Sequence, residues 1–357
     1  MKRIRDYGMK IGTLQPGPNN LITDVLGVKV GHVTLDNGAM KTGVTAILPH
    51  QGNLFKEKVM AASYVINGFG KTVGTVQIDE LGTIETPILL TNTFSVGVCS
   101  KAIIQYMLEQ NEEIGRTTGT VNPVVCECND MILNDIRENY IKEDHVLEAI
   151  RFSNVSFEEG AVGAGTGMVC FGLKGGIGSS SRLIETSQGK YTIGVLVLSN
   201  FGQMDHFRLN GYPVGEVLRK MAPSPKFIED KGSIIIVVAT DLPLTERQLK
   251  RIIKRASVGL ARTGSFYGNG SGDIVIGFST ANKIPHFPTG EIRLLSAIHE
   301  TDIDRAFIAV ADATEEAILN SMVTAKTTIG RNGHTIYSLK DYLEHLMITY
   351  KIKDPAF

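Results

Sequence analysis

Residues 261–280 read ARTGSFYGNGSGDIVIGFST, and the pair in them with the most chemical content is Gly264–Ser265. Backbone cleavage by an N-to-O acyl shift needs a hydroxyl beside a deformable peptide, and glycine takes strained φ/ψ values at little steric cost. Once the bond is cut, Ser265 would carry a free α-amine of reference pKa about 7.7–8.0, able to serve as its own general base near neutrality. Taken alone, a Gly-Ser pair followed by Asn269, Gly270 and Gly272 reads more simply as a turn.

Other groupings carry less. Thr314, Glu315 and Glu316 stand before an apolar helical pattern, which suits an N-cap followed by carboxylates on the positive end of the helix dipole. Residues 172–180, GLKGGIGSS, lack the Lys-Ser pair of a phosphate-binding P-loop, and Gly163, Gly165 and Gly167 do not complete GxGxxG. Both runs read as tight turns flanking a strand at Met168–Phe171. The eight histidines form no HxxxH or HExxH pair, so a metal hydrolase has little support. His206, beside Asp205, reads as a surface histidine, with a supporting acid-base role as the alternative. Cys99, Cys126, Cys128 and Cys170 form no CxxC pair and read as buried thiols of a reducing cytoplasm.

The elements that must hold these residues are strands and helices mixed without strict alternation, in a chain of 357 residues with 43% hydrophobic and 20% charged positions. A formal charge of −1 gives no basic field for nucleic acid. The basic opening lacks the apolar core of a secretion signal, and no run of ~18 apolar residues predicts a membrane span. Strands are expected as a pair around Gly27 within Asn20–Leu35, and at Val44–Leu48, Val73–Ile78, Val121–Cys128, Tyr191–Leu198, Ser233–Thr240 and Asp273–Phe278, with a short apolar run at Pro87–Leu90. Helices are expected over Val98–Glu109, Val146–Phe152 and Thr245–Arg262, and again around Ala317–Val323 after a separate apolar run at Phe307–Val310. The whole reads as one α+β domain, 1–357, with the break at Gly264 a processing point inside it.

At longer range the chain resembles the DmpA-type peptidases, which include L-aminopeptidase/D-esterase/amidases and β-peptidyl aminopeptidases. The ordered matches are NLITDVLGVKVGH, TGVTAILP, NGFGKTVGTVQIDELGTIETPILLTNTFSVG, LNDIR, GAVGAGTGM, VLVLSNFG, VVATDLPL and LARTGS, spread over nearly the full length. The resemblance implies an αββα sandwich similar to the N-terminal-nucleophile hydrolases but with its own connectivity. It also implies self-cleavage into 1–264 and 265–357, with Ser265 as nucleophile. By the same resemblance Asn200 helps form the oxyanion hole, where one amide donor supplies ~3 kcal/mol. Thr314 and Glu316 match a Ser-x-Glu pair that orients the nucleophile, with threonine in place of serine and Glu315 as a rival to Glu316. Glu127, in VVCECNDMILND, matches the carboxylate that binds the substrate's free amine, although Asn129 and Ile132 stand where relatives often carry aromatics.

The resulting expectation is a self-cleaving aminopeptidase or aminoacyl amidase/esterase acting on short peptides or amino-acid amides and esters. It needs no metal or organic cofactor and binds neither nucleic acid nor membrane. It would be a cytoplasmic homo-oligomer of αβ units, a tetramer by resemblance. Two alternatives stand beside it: an acyl transferase of the ornithine-acetyltransferase kind, which usually presents threonine as nucleophile, and a binding protein that kept the fold without the activity.

Overall fold

A computed structural model describes residues 2–222, 232–288, 290 and 292–352. Two sheets lie face to face. The four-stranded sheet runs in the order Lys29–Asn37, Met40–Leu48, Ile88–Asn92, Val124–Cys128. The six-stranded sheet runs Thr83–Ile84, Glu57–Gly68, Gly272–Pro285, Ser233–Thr240, Gly189–Asn200, Gly176–Thr186. Most neighbours are antiparallel. Ser233–Thr240 and Gly272–Pro285 are parallel, joined by a crossover through the helices Glu246–Ile253 and Ala256–Arg262.

The period-2 alternation of a strand builds the layers directly. In Ser233–Thr240, Ile235, Val237 and Ala239 join the core between the sheets, with Leu196, Leu198, Leu90, Val124 and Cys126. Ile234, Ile236 and Val238 face the other way, into a core shared with the helices Ile303–Val323, Lys340–Thr349 and the crossover pair. The outer face of the four-stranded sheet is covered by Val96–Gln110 and Glu143–Arg151. The order of layers is therefore helix, sheet, sheet, helix: the expected αββα sandwich. Each large aliphatic side chain buried this way contributes about 1.5–3 kcal/mol. No helix among the described residues is long and apolar enough to cross a membrane.

Several local expectations are corrected. Only Lys29–Asn37 of the pair read around Gly27 is a strand, and it pairs with Met40–Leu48; Ile22–Asp24 is a 3-10 turn whose Asp24 carboxylate accepts from the Leu21 N–H at 3.1 Å. Val73 makes a single bridge to Val125, after which Gly74 (φ +102°) turns the chain into a helix, Thr75–Leu81. The helix read over Thr245–Arg262 is two, and the break re-aims the second so that Gly259 presses on the next helix, where a Cβ would lie 2.3 Å from the Ala311 carbonyl. The glycine-rich run at 172–180 is not a turn throughout, since Gly176–Thr186 is an edge strand. Its small residues let the long helix lie against it: a Cβ on Gly178 would sit 2.0 Å from the Ala317 carbonyl. That helix is continuous over Ile303–Val323, so Thr314 is mid-helix and not an N-cap, and its hydroxyl donates to the Val310 carbonyl at 2.7 Å.

Candidate active site

Strand register puts the expected site residues of both sheets at one end of the sandwich. Asn200 closes its strand opposite Ser233, and Ile234 is paired in turn with Asp273, the second residue of the strand that follows Ser265. Gly272 is paired with Gly68, and the chain beyond Gly68 passes over the other sheet's Glu127. Gly70 marks the junction, its absent Cβ lying 3.6 Å from Gly272 Cα and 3.8 Å from Glu127 Oε1.

The Gly264–Ser265 bond sits in the loop between the crossover helix and this end. Gly264 has φ +102°, and a Cβ there would fall 1.9 Å from the His206 carbonyl, so no side chain fits. The residue is pinned from the N-terminal side: its N–H donates to the Ala261 carbonyl at 2.9 Å, and the Arg208 N–H donates to the Thr263 carbonyl at 2.9 Å. On the other side Ser265 Oγ accepts the Tyr267 N–H at 3.3 Å. Tyr267 itself holds φ +56°, a conformation costly for an aromatic residue, while its hydroxyl is anchored on the Ser257 carbonyl. His206 is exposed, its ring edge-on to Phe266 at 5.1 Å, and Asp205 pairs with Arg219.

Asn200 is 4% exposed and its amide orientation is fixed by its partners. Oδ1 accepts the Val169 N–H and Nδ2 donates to the Asn129 carbonyl, both at 2.9 Å. One Nδ2 hydrogen is thus spent, and an amide carries two.

Glu127 is 3% exposed. Its Oε1 accepts the Lys71 N–H at 3.0 Å and its Oε2 accepts the Thr93 hydroxyl. Both donors are neutral. The nearby Lys71 ammonium lies instead over the Phe69 ring, 4.5 Å from its centre. Burying a carboxylate on neutral contacts alone is costly, and a cationic ligand bound there would relieve that cost. Apolar side chains stand exposed nearby in sequence to these groups: Phe69, Phe94, Met131 and Phe266.

Thr314 and Glu316 lie elsewhere in their bonding. Glu316 is fully buried and accepts Arg5 Nε at 2.7 Å and 2.9 Å, Arg182 Nη2 at 2.6 Å and the Asn20 amide. Burial would raise its pKa, but Arg5 and Arg182 overcome this and hold it below the ordinary carboxylate range. Glu315, also buried, is the one whose pKa burial raises, against the opposing pull of Arg262. Arg262 reaches Asp312 Oδ1 at 2.6 Å and Glu315 Oε2 at 3.4 Å, so this helix meets the Gly264–Ser265 loop through an arginine two residues before Gly264.

The sequence did not single out Lys71, Thr93, Val169, Arg5 or Arg182. The first three act through backbone groups or one small hydroxyl, which leave no pattern. The two arginines come from segments 311 and 134 residues from Glu316.

The family model for peptidase family S58 matches residues 20–336. β-Peptidyl aminopeptidase BapA of Sphingosinicella microcystinivorans is 40% identical over 94% of this chain and 89% of its own length. BapA of Sphingosinicella xenopeptidilytica is 37% identical over 97% and 90%. Among solved structures, the PH0078 protein of Pyrococcus horikoshii OT3 superposes with a TM-score of 0.94 at 52% identity, covering 98% of this chain and 99% of that one. The L-aminopeptidase D-Ala-esterase/amidase of Ochrobactrum anthropi, a variant of the Ntn hydrolase fold, gives 0.92 at 35% identity with the same coverage. These likenesses favour a hydrolase over the acyl-transferase and binding-protein alternatives. By family match, fold and identity over nearly its whole length, the chain belongs to peptidase family S58, as an aminopeptidase/amidase of the Ntn-hydrolase type.

Proposed function

We propose that the chain cuts itself between Gly264 and Ser265 and then removes N-terminal residues from short peptides, or from amino-acid amides and esters, through an acyl-enzyme on Ser265. The freed α-amine of Ser265 takes the hydroxyl proton, and Asn200 Nδ2 donates its remaining hydrogen to the oxyanion. Water then resolves the ester. Glu127 binds the substrate's ammonium group. Thr314 enters as a positioning residue through its contact with Gly259, and Glu316 by fixing the same helix through Arg5 and Arg182, rather than by a hydrogen bond of their own to Ser265.

The observation that carries the reading is the Glu127 carboxylate, buried with neutral donors at the same end of the sandwich as Asn200 and the Ser265 loop. A binding site for a free amine restricts the enzyme to chain ends, a feature that the names of the β-peptidyl and L-aminopeptidase relatives share. The exposed phenylalanines nearby offer apolar surface to a substrate's side chains.

Intact mass of active protein tests it: two fragments, 1–264 and 265–357, are expected, and Ser265→Ala should stay full-length and inactive. A single mass in active enzyme overturns the cleavage. Equal hydrolysis of free-amine and N-acetylated substrates overturns the role of Glu127. The proposal extends to a homo-oligomer of cut αβ units in the cytoplasm. Ile292 and Leu294, each 91% exposed, support the first part, and four buried cysteines in no disulfide support the second. Light scattering on the cut enzyme decides whether it is a tetramer.

A further inference from the structure

Lys174 lies at the end of a short ribbon, Val169–Cys170 with Leu173–Lys174, and is 0% exposed. Its Nζ donates to three backbone carbonyls: Gly165 at 2.9 Å, Met168 at 2.8 Å and Gly175 at 2.8 Å. Three acceptors call for three N–H donors, which an ammonium has and a neutral amine lacks. Burial pushes the group's pKa down to about 7, and the Asp130 carboxylate acts the other way. Removing an amine from water for the sake of loop carbonyls is an expensive choice, since water or a hydroxyl could satisfy them.

One of the three carbonyls has a particular position. Met168 C=O and Val169 N–H are opposite ends of a single planar peptide unit, and the Val169 N–H is the donor that holds Asn200 Oδ1 at 2.9 Å. The links therefore run in series: the ammonium of Lys174, the Met168–Val169 peptide, the Asn200 carboxamide, and the Nδ2 hydrogen left for the oxyanion. A cation at the carbonyl end increases the peptide's dipole, so its N–H binds Oδ1 more strongly. That draws electron density from Nδ2–H, making it a better donor. Such chains strengthen each bond by about 10–30% in condensed phase. The same bond also fixes which way the amide faces, because an N–H can meet only Oδ1.

We propose that Lys174 is a positioning residue for the oxyanion donor, polarising and orienting Asn200 through the Met168–Val169 peptide. The proposal rests on the oxyanion role given above to Asn200. It assigns a catalytic consequence to a buried lysine that touches no substrate.

A double-mutant cycle tests it, with kcat and KM measured on an aminoacyl p-nitroanilide for Lys174→Met, Asn200→Ala and the pair. Lys174→Met should lower kcat about 3–10-fold with KM within about twofold, the scale set by a partial loss of one oxyanion donor's contribution. In the Asn200→Ala background the same substitution should have no further effect on kcat. Lys174→Gln, whose amide can still donate to carbonyls, should slow turnover similarly, because it lacks the charge. Self-cleavage and melting temperature are read on every variant to show that the fold is kept.

Equal slowing by Lys174→Met in both backgrounds overturns the proposal, as does a folded Lys174→Gln with wild-type kcat. Failure of both lysine variants to give folded protein also overturns it, in favour of a lysine that only holds the loop. Near-normal turnover by Asn200→Ala would instead remove the oxyanion reading itself, a separate outcome seen before either lysine variant is made.

Discussion

Glu127 and Glu316 are both buried carboxylates, 3% and 0% exposed, and the molecule solves the same problem for them in opposite ways. Glu316 is saturated: two guanidinium groups and an amide fill its oxygens. It ties the N-terminal segment around Arg5 and the edge strand at Arg182 to the long helix, and a further cation would find nothing to bind. Glu127 has one backbone N–H and one hydroxyl, both neutral. Its charge is held in place without being compensated, and that suits a ligand-binding group. Burial alone therefore does not tell a structural carboxylate from a binding one; the charge of its partners does.

The comparison breaks most visibly at Glu316. Glu316→Ala leaves Arg182, itself 0% exposed, facing Arg5 with no anion between them. Removing one member of a buried ion pair costs about 3–5 kcal/mol. A large fall in melting temperature is expected, with KM nearly unchanged in whatever folded enzyme survives. A stable Glu316→Ala variant with a strongly raised KM would reverse the roles of the two glutamates.

Glu127→Gln should do the opposite. The amide keeps the size of the side chain and can still accept the Lys71 N–H, so stability should change little. Losing one charge-assisted contact worth about 1.5–3 kcal/mol should lower kcat/KM for free-amine substrates by roughly 10–150-fold. Self-cleavage should persist, since Gly264 is preceded by chain and presents no amine. Loss of self-cleavage in this variant would mean that Glu127 acts on the serine rather than on the substrate.

How much of this was legible in the sequence depended on whether the signal was local. Ser233–Thr240 was found residue for residue, because a strand buried on both faces is written as an unbroken β-branched run. Glu57–Gly68 was missed, although it pairs with the Ser265-following strand, because EKVMAASYVING mixes small and polar residues without a clear period. Residues 172–180, which include the first half of the strand Gly176–Thr186, read as turn because their glycines and serines serve a helix that packs on the strand from more than a hundred residues away. The αββα order came from resemblance and not from pattern. Glu127, Asn200 and the Gly264–Ser265 pair could be named the same way, while their partners could not: Thr93 and Lys71 reach Glu127 from 34 and 56 residues away.

A third carboxylate sharpens the comparison by its sign with pH. Asp130 is 0% exposed, accepts the Asn134 amide at 3.0 Å on Oδ1, and its Oδ2 meets no hydrogen-bond geometry among the described residues. Burial raises its pKa to about 7, against the pull of Thr42, Asn134 and the Lys174 ammonium. Between about pH 4 and 7 the unfolded chain has lost this proton while the native chain keeps it. Stability from Asp130 is therefore full below the unfolded value and falls as pH rises, by about 1.4 kcal/mol per pH unit across that window. Glu316 runs the other way: its pKa is lowered in the folded chain, so its contribution is lost as pH falls. Asp130→Asn, which cannot ionise, should flatten the Asp130 slope. Urea unfolding at pH 5, 6 and 7 should show the variant gaining on wild type at each step upward. A constant difference at all three values would mean that Asp130 is already ionised in the native protein, paired with Lys174 as Glu316 is with its arginines.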